Sequence, residues 1–180
     1  MIIDGLLSFT NPTFGDLITA AQTNFPFSND IDWGISGLPV SSTSPTNQPF
    51  RDMGIGDDPA LKFLVEVTTA FAGGTSVQLI LQGAPDNGSG GEGTFVNWWT
   101  SPVYTTAQLL LGVRLFDMDF PRPPAGVVLP RFSRLLYTSV GTFTAGAIKA
   151  FIVLDRFDQI YNALNNSILG GYPAGVTIPN

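Results

Sequence analysis

Two acids, Asp117 and Asp119, stand two residues apart at the end of an apolar–polar alternation. Paired carboxyls hydrolyse glycosides when they sit roughly 5 Å apart (retaining) or roughly 6.5–9.5 Å apart (inverting). Pro121 follows at once, so this pair reads as ordinary acids at a strand-to-loop junction. Asp57-Asp58 and Asp86-Asn87-Gly88-Ser89 offer enough oxygen for calcium, yet neither has the alternating ligands and distal Glu of a calcium loop. Asp and Asn cap their own backbone in turns, and that chemistry accounts for both runs. Trp98, Trp99 and Tyr104 suggest an aromatic platform for a sugar or a protein. Neighbours on a strand face opposite sides, so one of the two tryptophans is core and the other points outward. Trp98 is assigned outward, as an anchor for a protein partner, because no acidic cluster accompanies the rings. The glycines of 88–93 are not followed by the Lys-Ser/Thr of a phosphate loop.

The 180 residues contain no His and no Cys. Those absences remove the commonest general base, the commonest soft-metal ligands and all disulfides. The expectation is a protein that is not an enzyme and needs no cofactor or metal. Length suits a single domain, 1–180, able to bury about 70% of its unfolded surface without a staple. Charged residues make up 12% of the chain, half the usual ~25%. Apolar residues reach 44%, 14 of them Phe, so apolar surface is left for a partner to cover. Net charge is −6 and the only lysines are Lys62 and Lys149, which argues against nucleic acid. The start lacks a basic stretch and carries Asp4, so a secretory leader is not expected. No run approaches the ~20 apolar residues of a membrane helix, and the expectation is a soluble chain made in the cytoplasm.

The elements that must hold these residues are strands. Leu61, Phe63, Val65 and Val67 alternate with Lys62, Glu66 and Thr68, and Val77, Leu79 and Leu81 alternate with Gln78 and Gln82. Residues 70–75 between them read as a Gly-bearing hairpin loop. The pair 134–140 and 147–154 reads the same way around 141–146. In both loops a Phe precedes Gly, and it is expected to fold back and lid one end of the core. Further strands are predicted at 94–99 and 108–116, with short ones near 6–9 and 31–35. Helical spacing marks 14–23 and 158–169 as short helices. Segments 37–51 and 84–93 read as loops. The ends, 1–10 and 170–180, read as extended arms with apolar teeth: Ile2, Ile3, Leu6, Leu7 and Phe9 at the front, Tyr172, Val176 and Ile178 at the back. Together with Trp98 these are the candidate interface residues. The implied fold is all-β, a jelly-roll-like sandwich.

The opening Met1-Ile2-Ile3-Asp4, the block Val65–Phe71 with Gly74–Val77, and Gly141-Thr142-Phe143-Thr144-Ala145-Gly146 through Ile152–Arg156 to Tyr172–Gly175 resemble the Bbp16-like capsid cement (decoration) proteins of bacteriophages. The resemblance implies a viral structural protein on the outer capsid surface of the virion. Its partners would be itself, a dimer ahead of a trimer, and the major capsid protein. The rival from another class is a carbohydrate- or receptor-binding β module of tail-spike or lectin type.

Overall fold

Alternation in the chain becomes alternation in space: Phe63, Val65 and Val67 are buried while Lys62, Glu66 and Thr68 keep contact with water. β-Branched and aromatic residues suit this pleated, half-covered geometry. The computed structural model describes residues 7–33, 61–122, 124–125, 130–153, 161–162 and 167–168. The strands are β1 (Asp16–Leu17), β2 (Gln22–Asp32), β3 (Lys62–Gly73), β4 (Ser76–Ala84), β5 (Val96–Thr100) and β6 (Tyr104–Thr105). They continue with β7 (Arg114–Asp119), β8 (Phe132–Val140), β9 (Phe143–Val153), β10 (Tyr161–Asn162) and β11 (Ser167–Ile168). A 3-10 turn occupies Thr106–Gln108.

One antiparallel sheet has the order β1-β9-β3-β7 and the other β2-β8-β4-β5, with β6 also on β4. The second sheet is the first one continued. β1 passes into β2, β9 lies next in the chain to β8, β3 passes into β4, and β6 passes into β7. The register runs through: Gly73 pairs with Phe143 on one side of the bend and Ser76 with Val140 on the other. The molecule is thus an all-β sandwich with the strand order of a jelly roll, made by creasing one antiparallel ribbon across its middle.

That arrangement corrects the two expected hairpins. β3 pairs with β9 and β4 with β8, so residues 70–75 and 141–146 turn the chain out of its sheet instead of back along it. Burying Val77, Leu79 and Leu81 against Phe63, Val65 and Val67 requires strands that face each other across a core, not strands lying side by side. The lid expectation holds. Phe71 and Phe143 meet edge to face with centroids 5.2 Å apart at the crease.

The helix expected at 14–23 is not formed. The Asn11 side chain accepts the N–H groups of Thr13 (2.9 Å) and Phe14 (3.1 Å), its carbonyl accepts that of Gly15, and β1 and β2 follow. In the span expected as a second helix, β10 pairs antiparallel with β11. The strand expected from Gln108 begins only at Arg114, because the 3-10 turn and a further turn come first. Segment 37–51 and Asp57-Asp58 lie outside the described residues. Between the sheets sits one core centred on Phe63, which meets Phe9 (5.5 Å), Phe116 (5.1 Å) and Phe120 (5.8 Å) edge to face. Leu64, Phe151 and Val153 form a second cluster on the other face of their sheet.

Candidate docking surface

The residues singled out for chemistry are engaged in holding the fold. Asp119 is ion-paired with Lys62 across β3 and β7, and Asp117 lies 3.8 Å from the Arg114 guanidinium. In the β4–β5 loop, Asp86 Oδ1 accepts the N–H groups of Gly88 (2.6 Å) and Gly90 (3.1 Å). Asn87 Oδ1 accepts those of Ser89 (2.8 Å) and Gly91 (3.2 Å). Arg131 binds the loop to β2, bonding both Asp32 oxygens at 3.0 Å while it also pairs with Asp86. These bonds hold the Asp86 carboxyl below the usual carboxylate range. Among the described residues no group of three acids is arranged to hold a metal.

Three of the nominated interface residues belong to the chain's own core. Leu7 and Phe9 are buried, and Phe9 is fixed by its N–H to Ala150 O at 2.9 Å and by Asn29 N–H to its carbonyl at 3.1 Å. Ser8 bridges to Phe151 between them. The front segment therefore closes the sandwich, because Phe9 is needed to complete the ring cluster around Phe63. Trp98 is the inward tryptophan, 9% exposed, edge-on to Phe120 and lying against Gly83. Trp99 is half-buried with its ring 4.8 Å from Phe116, and the Tyr104 hydroxyl donates to Leu115 O at 3.1 Å. These three rings pack on the protein and do not make an open platform. Ile2, Ile3, Leu6, Tyr172, Val176 and Ile178 lie outside the described residues.

Most of the exposed large apolar side chains lie elsewhere, at the crease, Val96 on β5 excepted. Leu17 ends β1 and is 70% exposed, Val140 ends β8, and Leu110 and Leu111 (69% exposed) occupy the crossing from β6 to β7. Phe14 and Val103 stand just before β1 and β6, and Phe25 on β2 lies beside Tyr137, 5.6 Å between centroids. Backbone bonds knit this end together. Phe71 N–H donates to Leu109 O at 3.0 Å, Gly112 N–H to Val67 O at 2.8 Å, and Thr68 Oγ1 to Phe14 O at 3.1 Å. No charged residue occurs in 17–29, 67–85, 93–113 or 135–148, the stretches that build the crease. The nearest acid, Asp16, is occupied by Asn11 N–H at 2.9 Å and by Ser28. These charge-free stretches were the sequence signal for the site, but they could be assembled only once the ribbon was seen to fold.

Two groups of charges, Lys62–Asp119 and Asp32–Arg131–Asp86, lie at the far ends of the strands, while Asp16, Glu66, Arg114 and Lys149 flank the crease on the β1-β9-β3-β7 sheet. The crease itself is thus uncharged and apolar, able to bury against a partner. Such an arrangement can dock. No curated protein matches this chain. The family model Bbp16 matches residues 38–152, more than half of it, and spans the Val65–Val77 block and the Gly141–Gly146 stretch. With β3 to β8, all but the last residue of β9 and both glycine-bearing bends inside the matched region, the chain belongs to the Bbp16 family, which is phage-related.

Proposed function

We propose that this chain is a non-catalytic structural protein of a tailed-phage virion that binds the outer surface of the capsid and cements neighbouring capsomers. Its partners are the major capsid protein and a second copy of itself, a dimer ahead of a trimer. The observation that carries this reading is the crease, where Leu17, Leu110, Leu111 and Val140 face water with no charge among them. Exposed apolar patches of this kind mark protein contacts. Membership of a phage-related family supplies the context. Cementing needs only modest contacts, since repetition over a shell adds them up.

The test is sedimentation of purified protein with undecorated, expanded capsids. Wild type should co-sediment, and Leu17→Asp with Leu111→Asp should not, while circular dichroism stays unchanged. Failure of wild type to bind, or normal binding by the double variant, would overturn the reading. Specific signals on a glycan array would transfer support to the sugar-binding alternative.

A further inference from the structure

Four strands border the two main sheets: β1 and β7 on one, β2 and β5 on the other. An unpaired edge offers backbone donors and acceptors to any second chain, and proteins blunt it with short strands, proline, charge or irregular register. Three of the four edges are blunted. β1 has two residues. β2 carries Pro26, Asn24 at φ +52° and two register shifts, and its Asn29 N–H donates to Phe9 O at 3.1 Å. β7 is charged at Arg114, Asp117 and Asp119. β5 has five residues with no charge and no proline. Its one irregularity places Leu81 opposite Trp99 and Gln82 opposite Asn97, so Trp98 is the extra residue, and its ring is turned into the core. Past that point the strand is regular. Ser101 N–H donates to Leu79 O at 2.8 Å, so by alternation the N–H and carbonyl of Thr100 point away from β4. Val96 (42% exposed), Asn97 and Thr100 stand in water, and among the described residues no strand lies against this edge.

We propose that a second copy of this chain docks on the β5 edge, pairing β5 antiparallel with its counterpart about a two-fold axis near Thr100. The two β2-β8-β4-β5 sheets then become one continuous sheet. This surface rests on the dimer reading above, and it leaves the crease to the capsid. Charge selects the occupant. Copies of a chain with net charge −6 repel, so they approach at least cost where neither contributes an acid. Residues 93–113 contain none. Symmetry closes the contact, because the same patch serves both copies and growth stops at two. At the axis each Thr100 gives its outward N–H to the other's carbonyl, and threonine facing threonine is a favourable cross-strand pair. Pro102, two residues on, has no N–H to give and ends the ladder.

Light scattering of the full chain at micromolar concentration tests this. Wild type should give twice the chain mass. Thr100→Pro removes an N–H that its own sheet does not use, and Thr100→Lys sets two cations face to face at the axis. Each should give the monomer mass with circular dichroism unchanged. Leu17→Asp with Leu111→Asp, at the crease, should stay dimeric. In hydrogen–deuterium exchange, peptides covering 96–101 should lose protection when the dimer is diluted apart, while peptides of β3 and β9 keep theirs. A wild-type monomer, a dimer that persists in a folded Thr100 variant, or loss of the dimer in the crease variant overturns the proposal. No capsid enters these measurements, so their failure and that of the cementing reading are separate results.

Discussion

Trp98 shows how a side chain suited to an interface serves the interior instead. Its ring lies edge-on to Phe120 with centroids 6.2 Å apart and against the bare backbone of Gly83, where any β-carbon would overlap the indole. Trp98→Ala should lower stability by ~3–5 kcal/mol, the usual cost of emptying a large aromatic site. A urea midpoint indistinguishable from wild type would mean the ring is not core. Asp30 gives a second residue-scale expectation. Its carboxyl is raised from 3.8 to about 6 in the folded chain, so the native state holds more proton than the unfolded one between those values. Stability then falls as pH climbs through that window and the cost is complete above it. Asp30→Asn removes the cost. Because Asp30 remains exposed to screening solvent, the gain over wild type at pH 7.5 should be on the order of 1 kcal/mol. Below about pH 4, where both states are protonated, there should be none. Paired urea titrations at the two pH values read this difference.

At the scale of elements, the crease depends on glycines that let aromatic rings close over the bend. Gly74 has φ +56° and a β-carbon there would overlap the Phe143 ring; Gly146 has φ +153° and would meet Phe71 in the same way. Gly88 also has positive φ, +85°, but open space around it. Alanine at Gly88 should cost only the ~1 kcal/mol of an unfavourable backbone conformation. Alanine at Gly74 or Gly146 should cost visibly more, since a ring must also move. Melting temperatures of the three variants separate the two terms, and equal losses would show that the rings are not what the bend accommodates. The same crease decides the Leu109-Leu110-Leu111 run. The 3-10 turn sends Leu109 fully inside and leaves its two neighbours mostly in water.

For the whole molecule the consequence is an uncharged contact. Each apolar side chain moved from water into an interface contributes ~1.5–3 kcal/mol when fully buried. Losing one at the crease should therefore weaken capsid binding by roughly ten- to a hundredfold. A contact made by uncharged side chains also makes binding indifferent to salt, whereas surface charge pairs weaken as screening rises. Affinity for expanded capsids should hold within about twofold between about 0.05 and 0.5 M salt. A steep loss would place the contact among the charged residues. Light scattering at micromolar concentration should return the mass of a dimer.

The strands themselves were legible in the chain, because period-2 alternation is local: Phe63, Val65, Val67 and Val77, Leu79, Leu81 needed no knowledge of their partners. The two ring-bearing bends were legible too, since a Phe beside Gly can only fold back over something apolar. Which strand lies beside which was not. The choice of β9 over β4 as the neighbour of β3 rests on pairings about eighty residues apart, as between Val67 and Ile148. Those pairings arise because creasing the ribbon buries both inner faces at once. For the same reason Leu7, Phe9 and Trp98, apolar wherever they are placed, became core, while Leu17 and Leu111 were left in water. Composition announced that apolar surface would remain. Only the crease, by gathering four uncharged stretches at one end, decided where.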